Sequence, residues 1–490
     1  MEQRSATGGA ADAGEPAGAT GRLSTQQVAE LLGVKVATVY AYASRGLLSS
    51  ERVPGGKGST FDAREVDALA AGQRRRLPRS PGSEPAVSPG SVPGLPPIEP
   101  VTVRTALTLI EDGRLYYRGV DAVRLAERCG FEAVVGWLWG VGADAAPGAP
   151  AGAGAAGGCG EDAVVLRAPG ELVATLRRAG EVLPAAARLP DRLRVSAAVA
   201  ATVDPLRFDL REENVRAVGA GLIAALVEAL PSAAAAVAAA GAAAGAGVGA
   251  GVGAGLASRA GAVPEADEFP AGASLAARLW TRLSPTAPTP GAVECLDRAL
   301  VLLADHELAV STVAARVAAS ARAHPYAVVS AGLGASDGPL HGAASALAYR
   351  MLGEVLAAGD AVPVVSEYLR TGVAIPGAGH RLYPAGDPRA RALLEAMRQL
   401  PDAEGVLAAI EAVVRAVGGP RARAGDAANV DLALAAFAHL GGMAAEAGEV
   451  IFSVARTAGW LAHAMEEYRE APLRMRARGV YVGPAVGGSG

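Results

Sequence analysis

The sequence predicts a mostly α-helical protein preceded by a small winged helix-turn-helix domain. Three observations predict it. Apolar residues make up 51% of the 490 but aromatics only 4%, which implies a core of Ala, Val and Leu suited to closely packed helices. From Glu171 onward apolar residues recur at helical spacing, and no strand-rich block follows a single hairpin near residue 110. Residues 23 to 70 read as helix, tight glycine turn, helix, then a glycine-rich basic hairpin. No dinucleotide-type glycine pattern follows a strand, and there is no P-loop. The length allows two or three domains.

Residues 1–21 are rich in Gly and Ala without an apolar core, so they read as a disordered tail and not as a signal or transit peptide. A winged helix-turn-helix domain is expected over 22–72. Ser24 offers an N-cap and Gln27, three residues on, completes a capping box. Val28, Leu31 and Leu32 give that helix an apolar face, and Gly33 ends it. A second short helix runs from Lys35 to Arg45. A glycine-rich turn at Pro54–Gly58 follows, and Phe61 is expected to open a further helix through Val66 and Leu69. Arg74-Arg75-Arg76 leads into a Pro/Ser/Gly-rich linker, 73–97.

Thr105–Ile110 and Arg114–Gly119, joined across Asp112-Gly113, read as a β-hairpin. Two helices follow, the second starting at Phe131, before a Gly/Ala insertion at 143–160. Helical patterns then cover Leu172–Val182, Leu189–Val203, Val215–Leu230, Leu275–Leu283 and Ala292–Ala304, with Asp305-His306 between that last helix and the next. Ala233–Ala257 is uncharged but nearly all Ala, Gly and Val. It reads as a low-complexity insertion, because Leu, Ile and Phe drive membrane insertion and glycine weakens helices. A soluble protein is expected, with no membrane partner.

The net charge of −4 is unremarkable, but residues 21–79 hold ten Lys/Arg against five Asp/Glu. Such an excess on a winged helix suits a phosphate backbone; the plain alternative is a helical appendage for protein contacts with solvated charges. Cys129, Cys159 and Cys295 have no pairing or CxxC spacing, so neither a disulfide nor zinc is indicated and a reducing cytoplasm is expected.

Three of the six histidines lie in one run: Asp305-His306-Glu307, Gly338-Pro339-Leu340-His341-Gly342, and Gly377-Ala378-Gly379-His380-Arg381-Leu382-Tyr383, closing on Asp387-Pro388-Arg389. Asn429-Val430-Asp431 and Arg456-Thr457-Ala458-Gly459-Trp460 lie downstream. Neutral imidazoles, one carboxylate and several arginines are the parts needed to deprotonate a carbon acid while clamping an anionic substrate. Read singly, His341 or His380 would be a cap or packing residue, Asp431 an N-cap for a helix Leu432–Leu440, and Arg456 half of an ion pair. His324, His439 and His463 read as structural.

In this order these segments resemble citrate synthases, over roughly residues 95 to 490, with support from Tyr117-Arg118-Gly119, Leu125-Ala126-Glu127 and Phe131-Glu132. The resemblance implies a large helical domain (98–335 with 446–490) and a small one (336–445). It further implies a homodimer and an acyltransferase of the tricarboxylic acid cycle acting on acetyl-CoA and oxaloacetate, with a CoA thioester as substrate and neither metal nor redox cofactor. By the same resemblance Asp431 is the base, His341 hydrogen-bonds the thioester oxygen and His380 activates the keto carbonyl. His306, Arg389 and Arg456 bind oxaloacetate, and Arg474 completes the clamp from the partner subunit. Met475 stands where the family pattern has proline, which leaves Arg476 as an alternative to Arg474. The N-terminal unit resembles the MerR/excisionase type of DNA-binding domain. That places Lys35, Thr38, Tyr40 and Arg45 on the recognition helix, with Arg52 and Lys57 on the wing. A 2-methylcitrate synthase using propionyl-CoA, and a metabolite-sensing transcriptional regulator, stay open as alternatives.

Overall fold

The chain divides into two units, residues 1–84 and 85–490. The computed structural model describes residues 22–32, 39, 43, 50–52, 59–62 and 66 of the first. Of the second it describes 102–141, 163–184, 186–238, 269, 272–418 and 427–477.

In the first unit β1 (Arg22–Ser24) leads into α1 (Thr25–Leu32), followed by β2 (Ser50–Arg52) and β3 (Ser59–Asp62). The capping box forms: Gln27 N donates to Ser24 Oγ at 3.3 Å and Ser24 N to Gln27 Oε1 at 2.9 Å. The antiparallel sheet has the order β1-β3-β2, with Phe61 opposite Leu23 on one side and Ser50 on the other. Phe61 therefore lies in the central strand and does not open a helix. Pairing on both edges turns its ring inward against Val28, Ala29, Val39 and Val66, and that burial overrides local helix propensity. Lys35, Thr38, Tyr40, Arg45 and Lys57 lie outside the described residues, and of Arg52 only the backbone, in β2, is described.

The second unit opens with β4 (Thr108–Glu111), β5 (Arg114–Tyr117) and β6 (Val120–Asp121), paired in that order. The hairpin turn is the expected one: Asp112 and Gly113 both have positive φ, 49° and 72°, as a type I′ turn requires. Asp121 caps α2 (Ala122–Arg128) through Val123 N at 2.9 Å, and α3 (Phe131–Trp139) ends on left-handed Gly140. The helical series continues with α4 (Gly170–Glu181), α5 (Leu189–Val203), α6 (Glu212–Glu228), α7 (Leu275–Leu283), α8 (Pro290–Leu303), α9 (Val310–Ser320) and α10 (Pro325–Ser336). After these come α11 (Ala344–Ala358), α12 (Ala361–Thr371), α13 (Pro388–Met397), α14 (Ala403–Gly418), α15 (Val430–Leu440) and α16 (Ala447–Arg469). The bounds of α5 and α7 are those read from sequence; α6 and α8 begin earlier, at acidic and Thr-Pro starts.

Helix α16 is the axis of this unit. Almost every residue from Ala447 to Met465 is buried, and α9, α10, α6 and α8 pack on it while α11 packs on α15. The stretch Glu212–Ala238 is long and apolar enough to cross a membrane, yet α6 buries Val215, Leu222, Ile223 and Leu226 in the helical core. Cys129 takes part in a disulfide, which corrects the expectation of unpaired cysteines: spacing along a chain does not report which Cβ atoms approach in space. Its partner lies outside the described residues, and Cys295 is free and buried.

Candidate active site

Asp305-His306 sits at the break between α8 and α9. The Tyr117 hydroxyl, from β5, donates to Asp305 O at 3.0 Å and reaches Val301 O at 3.1 Å, closing the C-terminal end of α8. His306 is buried and its Nε2 lies 2.9 Å from Tyr383 Oη. Tyr383 belongs to the glycine loop that carries His380, whose ring centroid is 5.5 Å from that of His306 and 4.8 Å from that of Tyr383.

His341 stands in the turn between α10 and α11, with Nε2 2.7 Å from Ser311 Oγ on α9 and its ring edge-on to Phe452 at 5.2 Å. The Arg456 guanidinium lies over that same Phe452 ring at 4.6 Å, and its Nε donates to Leu303 O at 2.8 Å. Its Nη1 is buried without a hydrogen-bond partner among the described residues.

Arg389 is fully buried and grips Asp387 with both arms, at 3.0 and 2.8 Å. Asp387 is the N-cap of α13, with Pro388 at its first turn, and its Oδ2 also accepts from Val430 N at 3.0 Å. That carboxylate thereby joins the start of α13 to the start of α15. The cap of α15 is Asn429, not Asp431: Asn429 Oδ1 accepts from Asp431 N at 3.0 Å and Leu432 N at 3.3 Å. Asp431 falls two positions too late to be the cap and lies inside the first turn. Asn429 Nδ2 also donates to Gly379 O at 3.0 Å, and Asn429 N to Gly377 O at 2.9 Å. Gly377 has φ +76°, and a Cβ there would stand 2.6 Å from that of Leu432, so only glycine lets this loop lie on the first turn of α15. The loop of His380 and the helix of Asp431 are thus stitched together.

Burial sets the protonation states. It lowers His306 well below the usual imidazole value, helped by the charges of Arg389 and Arg456. It lowers His341 to about 4, with Arg456 adding, and lowers His380 beside Arg389. All three are neutral near pH 7. Burial raises Asp431 to about 7, with the Arg389 charge opposing. Burial lowers Arg456 to about 10, against the pull of Asp305. For Asp305 burial works upward, but His463, Arg456 and Thr108 hold the carboxyl below its ordinary value. Among the described residues no group of three or more His, Cys, Asp or Glu is arranged to hold a metal ion.

Residues 99–478 match the model of the family described as "Citrate synthase, C-terminal domain". The chain belongs to the citrate synthase family. Residues 22–74 match a helix-turn-helix domain. Citrate synthase 2 of Bacillus subtilis is 37% identical over 197 residues, 40% of this chain and 53% of that protein, so the match spans about half of that relative. 2-Methylcitrate synthase 2 of Corynebacterium glutamicum is 27% identical over 366 residues, 74% of this chain and 87% of its own length. Among solved structures, citrate synthase from Thermoplasma acidophilum, in complex with carboxymethyl coenzyme A and oxaloacetate, shares the fold with a TM-score of 0.58. It is 21% identical, over 79% of this chain and 95% of that one.

Of the residues that the citrate synthase motifs single out, His306, His341, His380, Arg389, Asp431 and Arg456 come together in this fold, linked by the contacts and charge interactions above. Arg474 does not join them within one chain: it bonds buried Glu467 at 2.6 Å and reaches Glu470 at 3.9 Å. The sequence reading assigned no role to Ser311, Tyr383, Asp387, Asn429 or Phe452. Two of these had a signal, since Asp387-Pro388 and Asn429 are helix starts. A separate cavity of about 820 Å³, lined by Glu132, Arg167, Arg177, Glu228 and Arg278 among others, holds none of the cluster.

Proposed function

We propose that this protein condenses acetyl-CoA with oxaloacetate and hydrolyses the product thioester, giving citrate and free CoA. The observation that carries this reading is the gathering of His306 against His380, His341 and Arg456 on one Phe452 ring, buried Arg389, and Asp431 in a helix turn tied to the His380 loop through Asn429. Ionised Asp431 takes a proton from the acyl methyl group; a carboxyl near 7 is a stronger base than an ordinary one. His341 Nε2 lies 2.7 Å from Ser311 Oγ; in this reading it accepts from that hydroxyl, which leaves Nδ1–H as the donor to the thioester oxygen. A group that is neutral down to about 4 donates without first losing a charge. The enol carbon then attacks the keto carbon while His380 supplies a proton to its oxygen. His306, Arg389 and Arg456 hold the two carboxylates, and water cleaves the thioester, so one water is consumed and one CoA released.

The measurement is CoA release from purified protein given oxaloacetate with either acetyl-CoA or propionyl-CoA. Faster acetyl-CoA turnover is expected. Faster propionyl-CoA turnover assigns 2-methylcitrate synthesis, the reading favoured by the long alignment with the Corynebacterium relative. The two substrates differ by one methylene, worth only ~1–3 kcal/mol of discrimination. Turnover of neither overturns the proposal.

A homodimer is part of the same reading. Val310, Val313 and Val317 form an apolar stripe on α9, exposed by 68%, 37% and 46% in the single chain. The helix-turn-helix match supports DNA as a further partner. Deleting residues 1–80 is expected to abolish a salt-sensitive shift of duplex DNA; no shift by the full chain at low salt refutes that.

A further inference from the structure

We infer that His463 is a positioning residue that, through Asp305, holds the anion-binding pair His306 and Arg456 in place, a role that rests on the synthase reading above. His463 is fully buried on α16, two turns beyond Arg456. Arg316 Nη1 lies 2.8 Å from its Nδ1. A guanidinium can only donate, so Nδ1 is the acceptor and Nε2 carries the proton. That Nε2–H donates to Asp305 Oδ2 at 3.0 Å, and Thr108 Oγ1 donates to the same oxygen. Asp305 is wholly buried, and its Oδ1 has no hydrogen-bond partner among the described residues. A Cβ on Gly459 would stand 2.6 Å from Oδ1, so that side of the carboxylate rests against the α16 backbone. Its orientation therefore depends on the two donors at Oδ2.

Asp305 directly precedes His306 and is the main opposite charge acting on Arg456. Behind His463, Arg316 is held by Glu466 at 2.8 Å and Glu467 at 3.0 Å, and Glu467 binds Arg474 as well. Charges alternate along this seam, which keeps each buried ion offset by a neighbour. Without the His463 donor, Asp305 is free to turn and Arg456 loses the charge that aims it.

The test is steady-state CoA release from wild type, His463→Ala, His463→Gln and Thr108→Val, varying oxaloacetate at saturating acyl-CoA and the reverse. His463→Ala is expected to raise the KM for oxaloacetate about tenfold or more, as for a lost hydrogen bond to a charged group, with the acyl-CoA KM changed less than about twofold. His463→Gln, whose amide N–H can reach Asp305 in place of Nε2–H, restores most of that affinity. Thr108→Val removes the other donor and gives the same selective rise, which keeps the test decisive if His463→Ala does not fold. Turnover by wild type with an unchanged oxaloacetate KM in the folded variants, or equal loss for both substrates, or no rescue by glutamine, overturns the role. A wild type without turnover removes the synthase reading and this role with it.

Discussion

Replacing Asp431 by asparagine is expected to stabilise the protein at neutral pH while abolishing turnover. The carboxyl stands at about 7 against an ordinary value of 3.8, chiefly because burial disfavours its charge. The folded state thus binds this proton more tightly than the unfolded chain does. Below about pH 4 both states are protonated and nothing is lost; stability then falls as pH rises to about 7 and levels off above it. The full difference, at 1.36 kcal/mol per pH unit, is at most ~4 kcal/mol. The side chain is only partly covered, so water screens it, and its place in the first turn of α15 favours a negative charge. About 2 kcal/mol is the realistic expectation.

Asparagine has nearly the same shape and cannot ionise. Urea unfolding of both proteins, from about pH 4.5 to about pH 8.5, should show a gap in favour of Asp431→Asn that opens with rising pH and then flattens. CoA release should fall by about 10²- to 10⁴-fold, as expected when a general base is removed. A gap that is constant with pH, or a wild type that is the more stable at the alkaline end, would refute the claim that burial raises this carboxyl.

Three further outcomes follow from the same contacts. Gly459→Ala would put a Cβ 2.4 Å from Ala304 O and 2.6 Å from Asp305 Oδ1; the cost should be about 1–3 kcal/mol in urea unfolding, with weaker oxaloacetate binding. Asp387→Asn leaves Arg389 buried without its counter-charge and should cost about 3–5 kcal/mol, read by the same method. Asn429→Ala removes the cap of α15 and the tie to Gly379; it should lose about 0.5–2 kcal/mol and lower kcat more than it raises either KM.

Features encoded within a few residues were legible in the sequence. The Asp112-Gly113 turn, the Ser24/Gln27 box and the bounds of α5 and α7 each depend on neighbours along the chain. The same holds for the histidine motifs, whose glycines mark close backbone approach. Phe61 was misread because its strand is made by partners at 22–24 and 50–52. The N-cap role that Asp431 would have if read singly goes instead to Asn429, two residues earlier, which offers an equally good capping group and whose ties to Gly377 and Gly379 set the start of the helix. His463 looked structural for a simple reason: its partner Asp305 is 158 residues away, and no local pattern reports that meeting.

On the proposed function, the charges at this cluster favour a keto diacid over a neutral ketone. Arg389 is offset by Asp387 through two hydrogen bonds, a local pair that adds shape more than net charge. Among the described residues Arg456 has no such partner: Asp305 acts on it only through space, and its Nη1 is buried with no acceptor. A buried donor of this kind costs free energy until an acceptor reaches it. The three nearby histidines add no positive charge, because burial and these arginines keep them neutral. The cationic character of the site is therefore concentrated at Arg456, backed by Asp305 and, behind it, His463. A carboxylate placed there gains a charge-assisted hydrogen bond in a dry environment, where such bonds are strongest. A neutral carbonyl compound would leave the arginine unsatisfied, so discrimination rests on the ion that must be matched more than on the size of the pocket.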